Sequence, residues 1–234
     1  MTRKDVMRVK ILRQDNPLSE PYWQEFEYMG PADNTVAGVL DDLNYRDDIK
    51  DIHGNAVGRI GWECSCLQGV CGSCAMVING TPALACESFL RDMKDGTIVI
   101  EPLKKFQTIC DLVVDRSVIE ECFRKGQVYV DRDPDQADAE HDQREYEHQY
   151  SAARCLKCGL CLEVCPNYRE GVNFYGAAFA NDCYLCDALS GQETERIKET
   201  YREHFADGCS KAMSCMKVCP MQIPTISSMA KMNR

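Results

Sequence analysis

Apolar and polar residues alternate over two short runs near the start of the chain. Val9-Lys10-Ile11-Leu12-Arg13 and Tyr22-Trp23-Gln24-Glu25-Phe26-Glu27-Tyr28 are rich in β-formers, and Asp15-Asn16-Pro17 between them supplies a turn. The period then changes. Val36, Val39, Leu40 and Leu43 share one side of a helix over residues 35–43, with Asn34 as its cap. Ala75–Ile78 followed by Asn79-Gly80 predicts a hairpin, because Asn-Gly suits the two positive-φ positions of a type I′ turn. Ile98-Val99-Ile100 supplies a last strand, and Pro102 ends it. Together these elements predict a small mixed sheet with one helix.

After Pro102 the pattern turns helical. Residues 109–114 and 118–123 read as helices, as do 177–189 and 193–204, with no strand signal of comparable strength. The expected fold class is α+β, a sheet domain over 1–104 and an all-helical domain over 105–234, with the change near residues 102 to 106. Each half is near the lower end of comfortable core size.

Charge and composition narrow the partners. A net charge of −10 argues against nucleic acid, which would want a basic stripe. Much of the acidity lies in 131–147, where Asp131, Asp133, Asp135, Asp138, Glu140, Asp142, Glu145 and Glu147 face only Arg132 and Arg144. That run reads as a solvated segment between the domains. No stretch approaches the apolar length needed to cross a bilayer. The first ten residues interleave charge with apolar groups and form no secretion signal, which predicts a reducing cytoplasm. There, sixteen cysteines are not read as disulfides.

The cysteines fall into three constellations. Cys66, Cys71, Cys74 and Cys86 give C-x4-C-x2-C-x11-C, whose first three members have plant-type [2Fe–2S] spacing. Gly69 and Gly72 let the backbone curl so that amide N–H groups can face the sulfurs. Zinc more often takes two close ligand pairs, and Cys64 fits no ligand spacing. Further on, Cys155, Cys158, Cys161 and Cys165-Pro166 form the C-x2-C-x2-C-x3-C-P run of bacterial ferredoxins, whose fourth cysteine serves the other cluster. Its partner run is Cys209-x5-Cys215-x3-Cys219-Pro220, with Ala212 where a further cysteine would sit. The crossover assigns Cys155, Cys158, Cys161 and Cys219 to a [4Fe–4S] cluster. It leaves Cys165, Cys209 and Cys215, three thiolates that suit [3Fe–4S]; a [4Fe–4S] cluster with water or substrate on an open iron is the rival.

Cys66, Cys71-Gly72-Ser73-Cys74-Ala75-Met76, Ile78-Asn79-Gly80, Leu84-Ala85-Cys86, Asp111-Leu112-Val113-Val114-Asp115 and the two Cys-Pro runs carry a resemblance. In this order they resemble the iron–sulfur subunit of succinate dehydrogenases and quinol:fumarate reductases, over nearly the whole chain. The resemblance implies a β-grasp [2Fe–2S] domain followed by a helical ferredoxin domain. It implies an electron wire from FAD in a flavoprotein subunit, through [2Fe–2S], [4Fe–4S] and [3Fe–4S], to a quinone at a membrane anchor subunit. The chain would then sit peripherally on the inner face of the cell membrane and hold no dicarboxylate site. Some positions depart from the family. Glu63, Cys64 and Leu67 stand where basic residues are usual, Ser210 where many members have histidine, Asn167-Tyr168-Arg169 for a tryptophan-rich run, and Met221 for a lysine.

Other residues are assigned less. Cys183 and Cys186, one helical turn apart, read as small buried hydrophobes rather than a redox dithiol, as do Cys110 and Cys122. His53, His141, His148 and His204 form no ligand spacing. Met213 and Met216 flank Cys215 as apolar cover. Two other readings stand beside the electron-transfer subunit. One is a soluble flavoprotein reductase with a thiol or other non-quinone partner. The second is a zinc-stabilised interaction module.

Overall fold

Alternation becomes register in the first sheet. In the computed structural model, which describes residues 6–93, 96–130, 143–190 and 194–234, β1 (Met7–Arg13) pairs antiparallel with β2 (Tyr22–Tyr28). Val9 and Ile11 point inward from β1, and Phe26 and Tyr28 from β2, all essentially without solvent contact. β3 (Ala75–Ile78), β4 (Thr81–Leu84) and β5 (Thr97–Glu101) complete a five-stranded sheet in the order β2-β1-β5-β3-β4. β1 and β5 run parallel and the remaining neighbours antiparallel, a mixed sheet of the β-grasp kind. Asn79 and Gly80 have φ of 48° and 76°, as the hairpin reading expects.

Helix α1 (Val36–Asn44) buries Val36, Val39, Leu40 and Leu43. Each such side chain contributes about 1.5–3 kcal/mol on leaving water. Its cap is Thr35, whose hydroxyl accepts from Gly38 N at 3.1 Å, and not Asn34. Asn34 is otherwise engaged: its amide donates to the Tyr28 hydroxyl at 2.7 Å and its carbonyl accepts from Thr35 N.

Residues 109–114 are not helical. They form a hairpin of β6 (Thr108–Cys110) and β7 (Val113–Val114), turning through Asp111 at φ 46°. Branched side chains favour strands here, and a tertiary anchor fixes the turn. Asp111 is 5 % exposed and accepts from Arg13 Nε at 2.7 Å, Gln14 N at 3.1 Å and Gly61 N at 2.7 Å. Arg13 occupies the inward row of β1 after Val9 and Ile11, so the carboxylate satisfies a charge that would otherwise be buried alone. The hairpin therefore belongs to the first of two units, Met1–Asp115 and Arg116–Arg234.

In the second unit every named element is helical: α2 (Ser117–Lys125), α3 (Gln143–Ala153), α4 (Leu160–Glu163), α5 (Gly176–Leu189), α6 (Thr194–His204), α7 (Ser214–Lys217) and α8 (Thr225–Met232), with one 3₁₀ turn. α5 is the axis, and α3, α4, α6 and α8 pack on it. It is apolar nearly all round, with Ala177, Ala178, Phe179, Ala180, Cys183 and Tyr184 buried. α6 shows one stripe instead, Ile197, Tyr201 and His204. Most of the acidic run (131–142, with His141), residues 1–5 and Glu193 lie outside the described residues. No helix among the described residues is long and apolar enough to cross a membrane.

Candidate functional site

The loop between the 61–64 segment and β3 gathers the first thiols. Gly69 and Gly72 take φ of 72° and 80°, and Leu67 also turns left-handed at 53°. A Cβ on Gly69 would meet the Glu87 side chain at 2.9 Å, so close approach and φ both call for glycine. The curled backbone aims amides at sulfur. Gln68 N donates to Cys66 Sγ and Gly69 N to Cys86 Sγ, each at 3.3 Å. The β3–β4 hairpin returns Cys86 to within 3.4 Å of Cys74, sulfur to sulfur. The Cys66 backbone N–H and then the Ser73 hydroxyl pull the Cys71 thiol down to about 6. Cys86 is pushed up to about 12, first by burial and then by Cys74. Cys64 is exposed, and burial of its sulfur together with Asp41 raises it.

The second unit repeats one turn twice. Lys157 and Gly159 have φ of 53° and 86°, and Lys211 and Met213 have 57° and 55°. A four-residue helix follows each, α4 after Gly159 and α7 after Met213. In this register Ala212 stands where Cys158 does.

Two clefts lie beside these turns. The first, about 490 Å³, is bordered by Cys155, Cys158, Cys161 and Cys219, with Cys215 also at its edge. The second, about 390 Å³, is bordered by Cys165, Cys209 and Cys215. Met213 and Met216 line the second cleft as apolar cover. Burial raises Cys158 to about 11, lifts Cys161 further, and is also the largest cause raising Cys155 and Cys215. At Cys155 the Lys157 ammonium opposes burial, and the Asp182 carboxylate adds to it. Burial makes Cys155, Cys158, Cys161 and Cys215 costly to ionise alone, so this donor set fits a cationic metal–sulfide group that supplies the compensating charge.

Some site residues have no pattern that spacing reveals. Lys157 reaches from the first loop to an ion pair with Asp182 on α5 and lies 4.1 Å over the Phe123 ring. Ser210 donates to Asn167 Oδ1 at 3.1 Å, and the Asn167 amide donates to Gly208 O, so these two replacements are tied to each other. Cys183 and Cys186 are buried within α5, and burial drives Cys186 to about 11 and Cys183 higher. They pack as protonated small hydrophobes. Cys122 behaves alike, at about 11, and Cys110 is half-buried beside Gly61. His148 stacks on Tyr184 at 4.4 Å and His204 on Tyr175 at 4.2 Å, while His53 is exposed.

Comparison with known proteins adds independent findings. Residues 8–121 match the model of a 2Fe-2S iron-sulfur cluster binding domain, and residues 149–223 that of a 4Fe-4S dicluster domain. The succinate dehydrogenase iron-sulfur subunit of Bacillus subtilis is 30% identical, covering 100% of this chain and 94% of its own. The fumarate reductase iron-sulfur subunit of Mycobacterium tuberculosis is 34% identical over 94% of this chain and 87% of its own. Among solved structures, a chain of the Mycobacterium smegmatis Sdh1 complex in the apo form superposes with a TM-score of 0.78 at 22% identity. It covers 97% of this chain and 95% of that one, and shows a shared fold.

Proposed function

Because the chain belongs to the family of iron–sulfur subunits of succinate dehydrogenases and fumarate reductases, we propose that it is the electron-transfer subunit of a succinate:quinone oxidoreductase or quinol:fumarate reductase. Its partners on this reading are a flavoprotein subunit with FAD and an anchor subunit that brings quinone and holds the chain at the inner face of the membrane. Iron–sulfur clusters, when bound, supply one-electron carriage between a two-electron flavin and a quinone. The dicarboxylate chemistry belongs to the flavoprotein partner.

The observation that carries this reading is the placement of seven thiols along the two clefts, four at the first alone, two at the second alone and Cys215 at both. Cys155, Cys158, Cys161 and Cys219 would hold [4Fe–4S], and Cys165, Cys209 and Cys215 would hold [3Fe–4S]. Cys66, Cys71, Cys74 and Cys86 would hold [2Fe–2S]. The chain's own part is to keep thiolates and amides in place. Gln68 N and Gly69 N present partial positive charge to sulfur, which favours the ionised ligand. Apolar walls, including Leu160, Leu162 and Ile223 at the first cleft, exclude water and so bear on reduction potential.

Metal analysis of the chain tests this directly. The assignment predicts about nine irons and about ten labile sulfides per chain. Zinc without labile sulfide would contradict it and favour an interaction module.

A further inference from the structure

Lys157 lies between two of the thiols of the first cleft and forms part of its wall. Its ammonium is held from two sides, by the Asp182 carboxylate of α5 and by the face of Phe123 of α2. Phe123 is stacked in turn on the buried Phe179, ring centroids 6.3 Å apart. Side chains of Lys157 and Asp182 keep only 29% and 22% of their exposure, so solvent screens the pair incompletely. Glu120 is the other acid acting on Asp182.

Resting on the reading of this cleft as a [4Fe–4S] site, we infer that Lys157 and Asp182 form a potential-setting pair. The ammonium raises the reduction potential of the group held by Cys155, Cys158, Cys161 and Cys219. The carboxylate fixes the ammonium against the cleft and offsets part of its charge. Accepting one electron adds one negative charge inside the ring of four thiolates, and a fixed positive charge at the wall stabilises it. The lysine at the same place in the second loop, Lys211, also borders its cleft but is exposed, so solvent screens it more fully and the larger effect falls on the first site.

Redox titration of the chain in its native complex tests the pair, following the magnetic signal of the reduced four-thiolate site. Lys157→Met keeps the aliphatic stem on Phe123 and removes the charge. It is expected to lower the reduction equilibrium about tenfold, or about 59 mV for one electron. Asp182→Asn is expected to raise it, the double variant to return close to the parent, and Lys157→Arg to stay close throughout. Shifts of one sign in both single variants, no shift in either, or loss of the cluster in Lys157→Met would overturn the pair. Absence of any four-iron signal from the parent would instead overturn the cluster assignment, and the pair with it.

Discussion

The loop from Cys155 to Pro166 and the loop from Cys209 to Pro220 turn left-handed at matching places and then enter a one-turn helix. Cys155 matches Cys209, Cys161 matches Cys215, and Cys165 matches Cys219. The two runs differ at six of their twelve positions, and among these only Cys158 against Ala212 changes the number of thiols. A methionine in the left-handed region costs about 1–2 kcal/mol, and the second loop keeps the turn regardless. Loop geometry is thus maintained by the surrounding packing, without a fourth thiol. What separates the two loops is side-chain chemistry, a thiol at 158 against a methyl at 212 above all, and not the turns of the backbone.

That packing is also shared. α3 leads into the first loop and docks on α5 through His148 stacked on Tyr184. α6 leads towards the second and docks through His204 stacked on Tyr175, at the start of α5. Phe179 joins both sides, touching Phe123 beneath Lys157 and meeting His204 edge-on. Phe179→Ala is expected to remove about 3–5 kcal/mol from the second unit and to loosen both loops together. Chemical denaturation of the complex, read with cluster absorbance, checks this; loss at only one site would break the symmetry of support.

A smaller effect should distinguish the two helices. Burial lowers His148 below its ordinary value of 6.5. The folded chain therefore holds it neutral where the unfolded chain has begun to bind a proton, and stability rises with pH in that window. The contribution is complete above about 6.5 and declines as pH falls below it. His148→Phe preserves the stack and should flatten the acid-side fall in thermal midpoint measured by helical circular dichroism. An unchanged slope would remove His148 from the account.

Much of this was legible in the residues themselves. Alternation located β1 and β2, and Asn79-Gly80 located the hairpin. The misreading of 109–114 came from a short apolar run whose period cannot separate strand from helix. Its conformation depends on Arg13, far away in sequence, meeting Asp111. α3 was missed because only Gln149 and Ala152 are buried in it, so no apolar stripe marks it. α4 and α7 are single turns set by the ligand loops. The ion pair from Lys157 to Asp182 joins a loop to a helix face, a relation that no local pattern encodes.

Ala212 is the position on which the comparison turns. The measurement is the iron content and oxidised-state magnetic signal of Ala212→Cys in the native complex. If the missing thiol is what leaves the second site with three ligands, iron should rise from about nine to about ten per chain. The [3Fe–4S] signal of the oxidised protein should disappear with it. An unchanged iron count and an unchanged signal would contradict the ligand assignment.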